Sequence, residues 1–403
     1  MTAPGRAAAG QAAAGMLTGP DGGGPGAARV TRSRRTTLWA ALGALVIVVI
    51  LGYLPYLVLS GTTDFLVNVF VLMTMASMWN LLAGYAGLVS VGQQAFVGLG
   101  GYIVLILSNH AVEPFLGLPV AVAGCAVVGL PVWWLVSRLR TGYFAIATWV
   151  IASIFELIVV RFPSLGGGTG ANLSGFENLD PTLLTAYTYW AALAVVVLVV
   201  LFVYLILRSR LGLVLTAMRD DEVGARSSGA RVPRTQGFVF VVAAAGCGAA
   251  GAIIIISQLS IEPTAAFSVQ YSAEMIFATI IGGIGTIEGP ILGTIIFFAL
   301  QKSLAQYGTW YFIVLGLVAM AVALWAPRGI WGLISERFGI RLFPVGYHLW
   351  PAGEQRPRGL AALRRRPAGT GPGTPSGAGS PAAAAGPEEA PGAADGDPGP
   401  PPG

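Results

Sequence analysis

The stretch from Gly84 to Tyr102, GYAGLVSVGQQAFVGLGGY, sets Ser90, Gln93 and Gln94 among Gly84, Gly87, Gly92, Gly98, Gly100 and Gly101, inside an otherwise apolar region. Hydroxyl and carboxamide groups exchange hydrogen bonds without carrying charge. The chemistry open to them is weak, reversible solvation of a polar solute, not tight capture or bond breaking. Glycine permits breaks and close backbone approach, and irregular structure at membrane depth survives only where protein or water surrounds it. Something other than lipid is therefore expected to contact this segment.

Two further clusters carry polar chemistry. In IIGGIGTIEGPILG, Gly282, Gly283 and Gly285 loosen the end of one apolar segment and Pro290, which fits best in the first turn of a helix, restarts the next. Glu288 then falls near the new helix N-terminus, and Gly289 and Gly293 allow close packing. Pore lining or gating is one reading of this hairpin; a packing seam is the other. In the arginine-rich loop, Arg219, Asp220, Asp221 and Glu222 precede Ala225 and Gly229. Acids in a first turn suit the helix dipole and Gly229 suits a C-terminal cap, so the loop is expected to form a short surface helix from Arg219 to Gly229, either simply solvated or docked on a partner. Glu156 stands alone in TWVIASIFELIVV. A carboxylate inside a span is costly and a functional suspect by default, although Arg161 nearby also fits an interfacial position.

What is missing excludes whole classes. The chain has a single lysine, Lys302, in ALQKSLAQ without a glycine-rich loop before it. A phosphate-cradling P-loop needs that loop and its lysine, so the chain is not expected to be an enzyme with its own ATPase site. Cys125 and Cys247 lie in apolar segments without metal or redox spacing, and His110 and His348 are far apart. No metal site and no cofactor are expected.

The elements that must position these residues follow from hydropathy. The 403 residues are 55% hydrophobic and only 10% charged, which is integral-membrane composition. The net charge of +5 is carried by arginines in flanks and loops, reflecting topology and not nucleic-acid binding. Apolar runs are drawn at Leu38–Leu59, Phe65–Leu82, Gly92–Ser108, Phe115–Val136, Tyr143–Val160, Tyr187–Leu207, Gly237–Ser257, a short pair Ala273–Ile284 and Pro290–Leu304, and Trp310–Ala326. The predicted fold is all-α: a polytopic integral membrane protein with about ten transmembrane helices, some short or broken. Residues 1–37 form a cytoplasmic tail that is Ala/Gly/Pro-rich through Ala28 and cannot offset chain entropy by burial, 38–335 the transmembrane domain with a cytoplasmic loop at about 208–236, and 336–403 a second tail. Arg29, Arg32, Arg34 and Arg35 hold the N-terminus inside. Alternation then brings Arg138 with Arg140, the loop Arg208–Arg234, and Arg328, Arg337 and Arg341 to the same side, and sends His110–Pro114, Pro163–Pro181 and Ile261–Ser268 to the other. Arg364, Arg365 and Arg366 are expected to touch anionic membrane lipid.

These pieces, in this order, resemble the permease subunits of the branched-chain amino acid type of ABC importer. The family's glycine, serine and glutamine signature matches Gly84, Gly87, Ser90, Gly92, Gln93, Phe96, Gly98, Gly100 and Tyr102. A second block matches Leu139, Arg140, Gly142, Tyr143, Phe144, Ala145, Ile146 and Thr148, and Gly167, Gly168 and Gly170 fit an external loop. Ser209, Arg210, Gly212, Ala217, Arg219, Glu222, Ala225 and Gly229 resemble the cytoplasmic coupling loop. Gly282, Gly283, Gly285, Gly289, Pro290 and Gly293, then Pro327, Arg328 and Gly329, complete the match over roughly Phe65 to Leu333. Gly224, Arg226 and Gln236 depart from the coupling-loop pattern. The resemblance implies a plasma-membrane subunit that translocates branched-chain or related amino acids by alternating access, with both termini cytoplasmic. Its partners would be cytoplasmic ABC ATPase subunits, a second homologous permease and an extracytoplasmic solute-binding protein. Urea or short amides are alternative solutes, and an ion-coupled secondary transporter is the alternative of another class.

Overall fold

In the computed structural model the described residues are 29–31, 34–57, 60–110, 112–139, 141–175, 180–304, 310–326, 329–338 and 348–350. The chain divides into one unit of Val30–His348 and another of Met1–Arg29 with Leu349–Gly403; every element below belongs to the first. The expected tails at 1–28 and 356–403, Arg32, Arg140, Pro327, Arg328 and Arg341 lie outside the described residues.

The architecture is all-α. Four helices open the chain: α1 Arg34–Tyr53, α2 Ser60–Asn80, α3 Gln94–Asn109 and α4 Pro114–Val136. Next come α5 Thr141–Val160, α6 Pro181–Arg208, α7 Arg210–Asp220, α8 Glu222–Ser227 and α9 Val232–Gln258. The last group is α10 Pro263–Ala266, α11 Val269–Gly282, α12 Glu288–Leu304, α13 Trp310–Trp325 and α14 Gly329–Phe338. Among the described residues five helices have the length and hydropathy to cross a bilayer core by themselves: α2 with the turn that prolongs it, α4, α5, α6 and α9. The pair α13 and α14, bent by 42°, supplies a sixth candidate. Of the glycine-containing stretches, α3 folds as 16 residues and α11 as 14, against the ~20 a full crossing takes.

Two helices form the centre. The apolar window is 78% buried in α2 and 72% in α9, but 28% in α4 and in α5. Lipid gives helices no hydrophobic reason to associate, so close van der Waals packing between small residues must do it. In α9 the run AAAGCGAAGA supplies them. A β-carbon on Gly251 would sit 1.8 Å from the Val97 carbonyl oxygen, and one on Gly100 2.1 Å from that of Gly248, so α3 and α9 touch backbone to backbone. Cys125 and Cys247 are free and fully buried in this region, acting as small apolar fillers.

The periphery is attached differently. Leu42, Leu45, Val46, Ile47, Val49 and Ile50 of α1 are each at least half exposed, as suits a helix bathed in lipid. Its C-terminal end is fastened to α6 by two hydrogen bonds: the Tyr189 hydroxyl donates to Leu51 O at 2.7 Å and the Trp190 indole to Gly52 O at 3.2 Å. α6 itself begins at Pro181 behind the N-cap Asp180, whose carboxylate accepts from Thr182 N. The three segments assigned by alternation to one side come together. β1 (Ala171–Asn172) pairs antiparallel with β2 (Ser260–Ile261), Ala171 facing Ile261, and Ser108 Oγ donates to Ser174 O at 2.5 Å.

Candidate functional site

The glutamine segment is held from three sides. The loop between α2 and α3 is anchored by Trp79, whose indole N–H donates to Ser90 O at 2.8 Å, and by Thr148 of α5, whose hydroxyl accepts from Val91 N at 3.3 Å. Gly92 fits only because it lacks a side chain: a β-carbon there would lie 1.9 Å from Thr148 O. Ser90 Oγ accepts from Gly92 N and from the Gln93 carboxamide. Gln94, at the start of α3, accepts a hydrogen bond from the Ser272 hydroxyl of α11. Ser90, Gln93 and Gln94 are all essentially inaccessible. Gln93 Oε1 is left without a partner among the described residues, as are the hydroxyls of Thr74, Ser77, Tyr102 and Thr294. An unpaired buried acceptor costs roughly 1–3 kcal/mol, and Gln93 Oε1 is an acceptor still able to take an N–H.

The glycine cluster forms a second site at the other end of α11. Ten residues separate Ser272 from Gly282, about 15 Å of helix. There α2 ends in a π-turn, Leu81–Tyr85. Between α11 and α12 the backbones meet directly: β-carbons on Gly282, Gly289 and Gly293 would lie 1.8 Å from Gly289 O, 2.1 Å from Gly283 O and 1.8 Å from Ala278 O. Gly329, which opens α14, presses on Gly283 in the same way. The seam reading therefore describes these residues as packed in this structure. Glu288 is buried in the first turn of α12, as expected, whereas Pro290 is the third residue of that helix and does not start it. Thr286 Oγ1 accepts from Gly289 N at 3.0 Å and supplies the start signal.

Asn80, which sequence reasoning passed over as span interior, joins α2 to this junction. Its Nδ2 donates to Thr286 O and its Oδ1 accepts from Gly285 N, both at 2.8 Å. Gly285 takes a positive φ of 77°, which favours glycine. Gly84 abuts it, since a β-carbon on Gly84 would sit 2.6 Å from Gly285 N.

The arginine-rich loop folds as two helices, not one. Asp221 is extended and its carboxylate accepts from Val223 N, so it ends α7 and caps α8. Asp220 closes α7 and Glu222 opens α8, where it bonds Arg226 one turn on at 2.8 Å. Gly229 does terminate the segment, with φ 85° and Ala230 N donating to Ala225 O at 3.1 Å. Ala225 is buried with Met218 and Val232, so the loop rests on the bundle. At the far end of α7, Arg219 reaches the glycine junction: a β-carbon on Gly285 would stand 3.3 Å from Arg219 Nη1 and 3.3 Å from Gly84 O. Gly84, Gly285 and Arg219, separate in sequence, thus converge on one position of the fold. Gly87 and the glutamine cluster sit apart from it. Glu156 is half-buried on α5 and takes no part in the bonds that join these clusters. Lys302 lies over the Phe65 ring, 5.8 Å from its centroid.

Trp79, Asn80, Thr286 and Ser272 are the residues that sequence reasoning missed. Each is a polar side chain inside an apolar run. Between α3, α9 and α10 there is a cavity of about 30 Å³ lined by Gly101, Gly251, Gln258, Ser260, Glu262 and Tyr271, room for about one water.

Comparison with known proteins adds an independent finding. Residues 61–324 match a family described as branched-chain amino acid transport system / permease component. The chain is similar to the high-affinity branched-chain amino acid transport system permease protein LivM of Escherichia coli, at 25% identity over 68% of this chain and 71% of that protein. It is similar to LivM of Salmonella typhimurium at 24% identity, covering 73% and 76%, and to a probable LivH permease of Methanocaldococcus jannaschii at 27%, covering 60% and 82%. No solved structure matches.

Proposed function

This chain belongs to the branched-chain amino acid transport system permease family, and on that premise we propose that it is one of two permease subunits of an ABC importer that moves branched-chain or related amino acids across the plasma membrane. The observation that carries the reading is the approach of α7 to the glycine junction, where Arg219 Nη1 lies 3.3 Å from the position a β-carbon on Gly285 would take. In an importer of this kind a soluble extracytoplasmic binding protein selects the solute and cytoplasmic ATPases drive the change. The permease then needs a weakly polar path and a mechanical link, not a tight site. Ser90, Gln93 and Gln94 offer the first. Arg219, Asp220, Asp221, Glu222, Ala225 and Gly229 offer the second, as the surface on which an ATPase docks. Gly84, Gly87, Gly92, Gly282, Gly283, Gly285, Glu288 and Pro290 border or hinge the path between them.

Alternating access requires two discrete packings that binding can bias. Backbone contacts without interlocking side chains, such as Gly282 on Gly289, are suited to part and re-form. The resemblance to both LivM and LivH proteins supports a homologous but distinct partner permease. Both termini are read as cytoplasmic, and the tails at 1–37 and 336–403 as accessory to transport by the domain 38–335.

The test is reconstitution of this chain with the permease, ATPase and binding protein that copurify with it, in proteoliposomes. ATP-dependent accumulation of leucine, isoleucine or valine is expected. Accumulation of urea or a short amide instead would correct the solute, and uptake that persists without ATP but collapses with a proton or sodium gradient would overturn the assignment.

A further inference from the structure

The coupling reading says that α7 and α8 receive the ATPase; it leaves open how their movement reaches the membrane. Three observations converge on one residue. Arg219 is the penultimate residue of α7, and its Nη1 lies 3.3 Å from the position a β-carbon on Gly285 would take, a position that Gly84 O approaches equally closely. Second, the π-turn Leu81–Tyr85 concludes α2, so this cation stands at a helix C-terminus, where unsatisfied carbonyls favour positive charge. Third, the Tyr85 hydroxyl at the end of that turn lies within electrostatic reach of both Arg219 and the buried Glu288, so charges of both signs surround the junction. On the other side of the turn, Asn80 holds Gly285 N and Thr286 O.

We propose that Arg219 is a positioning residue that, with Asn80, clamps the α11–α12 turn onto the end of α2, so that displacement of α7 releases the Gly84–Gly285 contact. The clamp has a cytoplasmic jaw and a membrane jaw. Asn80 belongs to the most buried helix and cannot follow the ATPase; Arg219 is exposed on a short surface helix and can. Moving α7 withdraws the charge first and leaves a turn held only by Asn80. Because Gly285 and Gly84 carry no side chains, nothing interlocks to keep them together once the charge is gone. The inference rests on the coupling role of α7 and α8 proposed above.

The experiment uses the assembled complex in proteoliposomes and reads solute accumulated per ATP hydrolysed. Coupling free energies between sites correspond to about 5- to 150-fold effects, so R219Q should lower that ratio at least about fivefold, with R219K intermediate because it keeps the charge and loses the fork. R138Q, which changes an arginine stacked on Trp134 at 5.0 Å, should leave the ratio unchanged. A wild-type ratio in R219Q overturns the clamp while the importer reading stands. Absence of ATP-driven uptake in the wild-type complex overturns both. A second measurement needs no variant. Hydrogen exchange on the wild-type complex should show that trapping the ATPase with a non-hydrolysable ATP analogue deprotects the π-turn Leu81–Tyr85, which loses its neighbouring cation, together with α7, while the Gly285 amide stays bonded to Asn80. Exchange that changes in α7 alone overturns the proposal.

Discussion

The two ends of α11 are held by opposite means. At Ser272 the contact is made by polar side chains, Ser272 to Gln94, beside a Gln93 oxygen that has no partner among the described residues. At Gly282 it is made by backbone alone, with β-carbon positions less than 2 Å from the neighbouring carbonyls. Hydrogen bonds between side chains can be exchanged for others at small net cost. Backbone contacts at this distance cannot absorb even a methyl group. One end of the helix is joined through polar side chains that can exchange partners, the other through backbone alone, where no side chain can be added.

Substitutions should separate the two ends sharply. The largest effect is expected at the glycine end. Gly293→Val must displace Ala278 O and Gly282 N, at or beyond the upper end of the ~1–3 kcal/mol typical of overpacking, and detergent-solubilised protein should lose its cooperative thermal transition. Gly87→Ala is the contrast, because nothing lies within 4 Å of the added carbon and only the positive φ is strained. A Gly293 variant as stable as Gly87→Ala would break the comparison. Next comes Asn80→Ala, which strands Gly285 N and Thr286 O and should cost roughly 2–4 kcal/mol, read as a fall in apparent Tm.

At the polar end the expected losses are smaller. Ser272→Ala should cost about 1–2 kcal/mol by leaving Gln94 Oε1 unpaired, and adding Gln94→Leu should recover part of it, since removing both partners removes the stranded group. A double variant worse than the single would show that Gln94 has another role. Smaller still is Glu222→Gln. The Glu222–Arg226 pair is exposed on both sides, and such pairs contribute only ~0.2–1 kcal/mol. Thermal stability should barely move, while the solute transported per ATP falls if Glu222 faces the ATPase.

The smallest effect lies outside both ends and serves as their baseline. Hydrogen bonds from the Thr182 hydroxyl and backbone N–H hold the Asp180 carboxyl below the usual carboxylate range. A depressed folded value means the cap contributes fully above the unfolded pKa of ~3.9 and is lost as pH falls through the folded one. Asp180→Asn should therefore flatten the melting profile only below about pH 4.

The helical bundle and both clusters were legible because their signals are local. Hydropathy marks a span, and Gly-rich breaks mark where a helix stops. The Arg219–Gly229 segment was placed correctly on the surface and ended correctly at Gly229. Its division at Asp221 was not foreseen, because either of two adjacent aspartates could cap a helix and only the fold decides which. Asn80 and Ser272 were invisible for another reason. Their partners Gly285 and Gln94 lie 205 and 178 residues away, and a lone polar residue in an apolar run gives no hint of which distant backbone it will meet.

The fastening of α1 has a consequence for how the molecule is made. The groups that hold its C-terminal end, Tyr189 and Trp190, follow Leu51 and Gly52 by 138 residues. At the ~5–20 residues per second of translation, the first helix waits roughly 7 to 30 s in the bilayer before the side chains that fasten it have been synthesised. Through that interval its lipid-compatible surface is its only anchorage, so α1 is equipped to survive alone, and the completed α6 arrives to collect it.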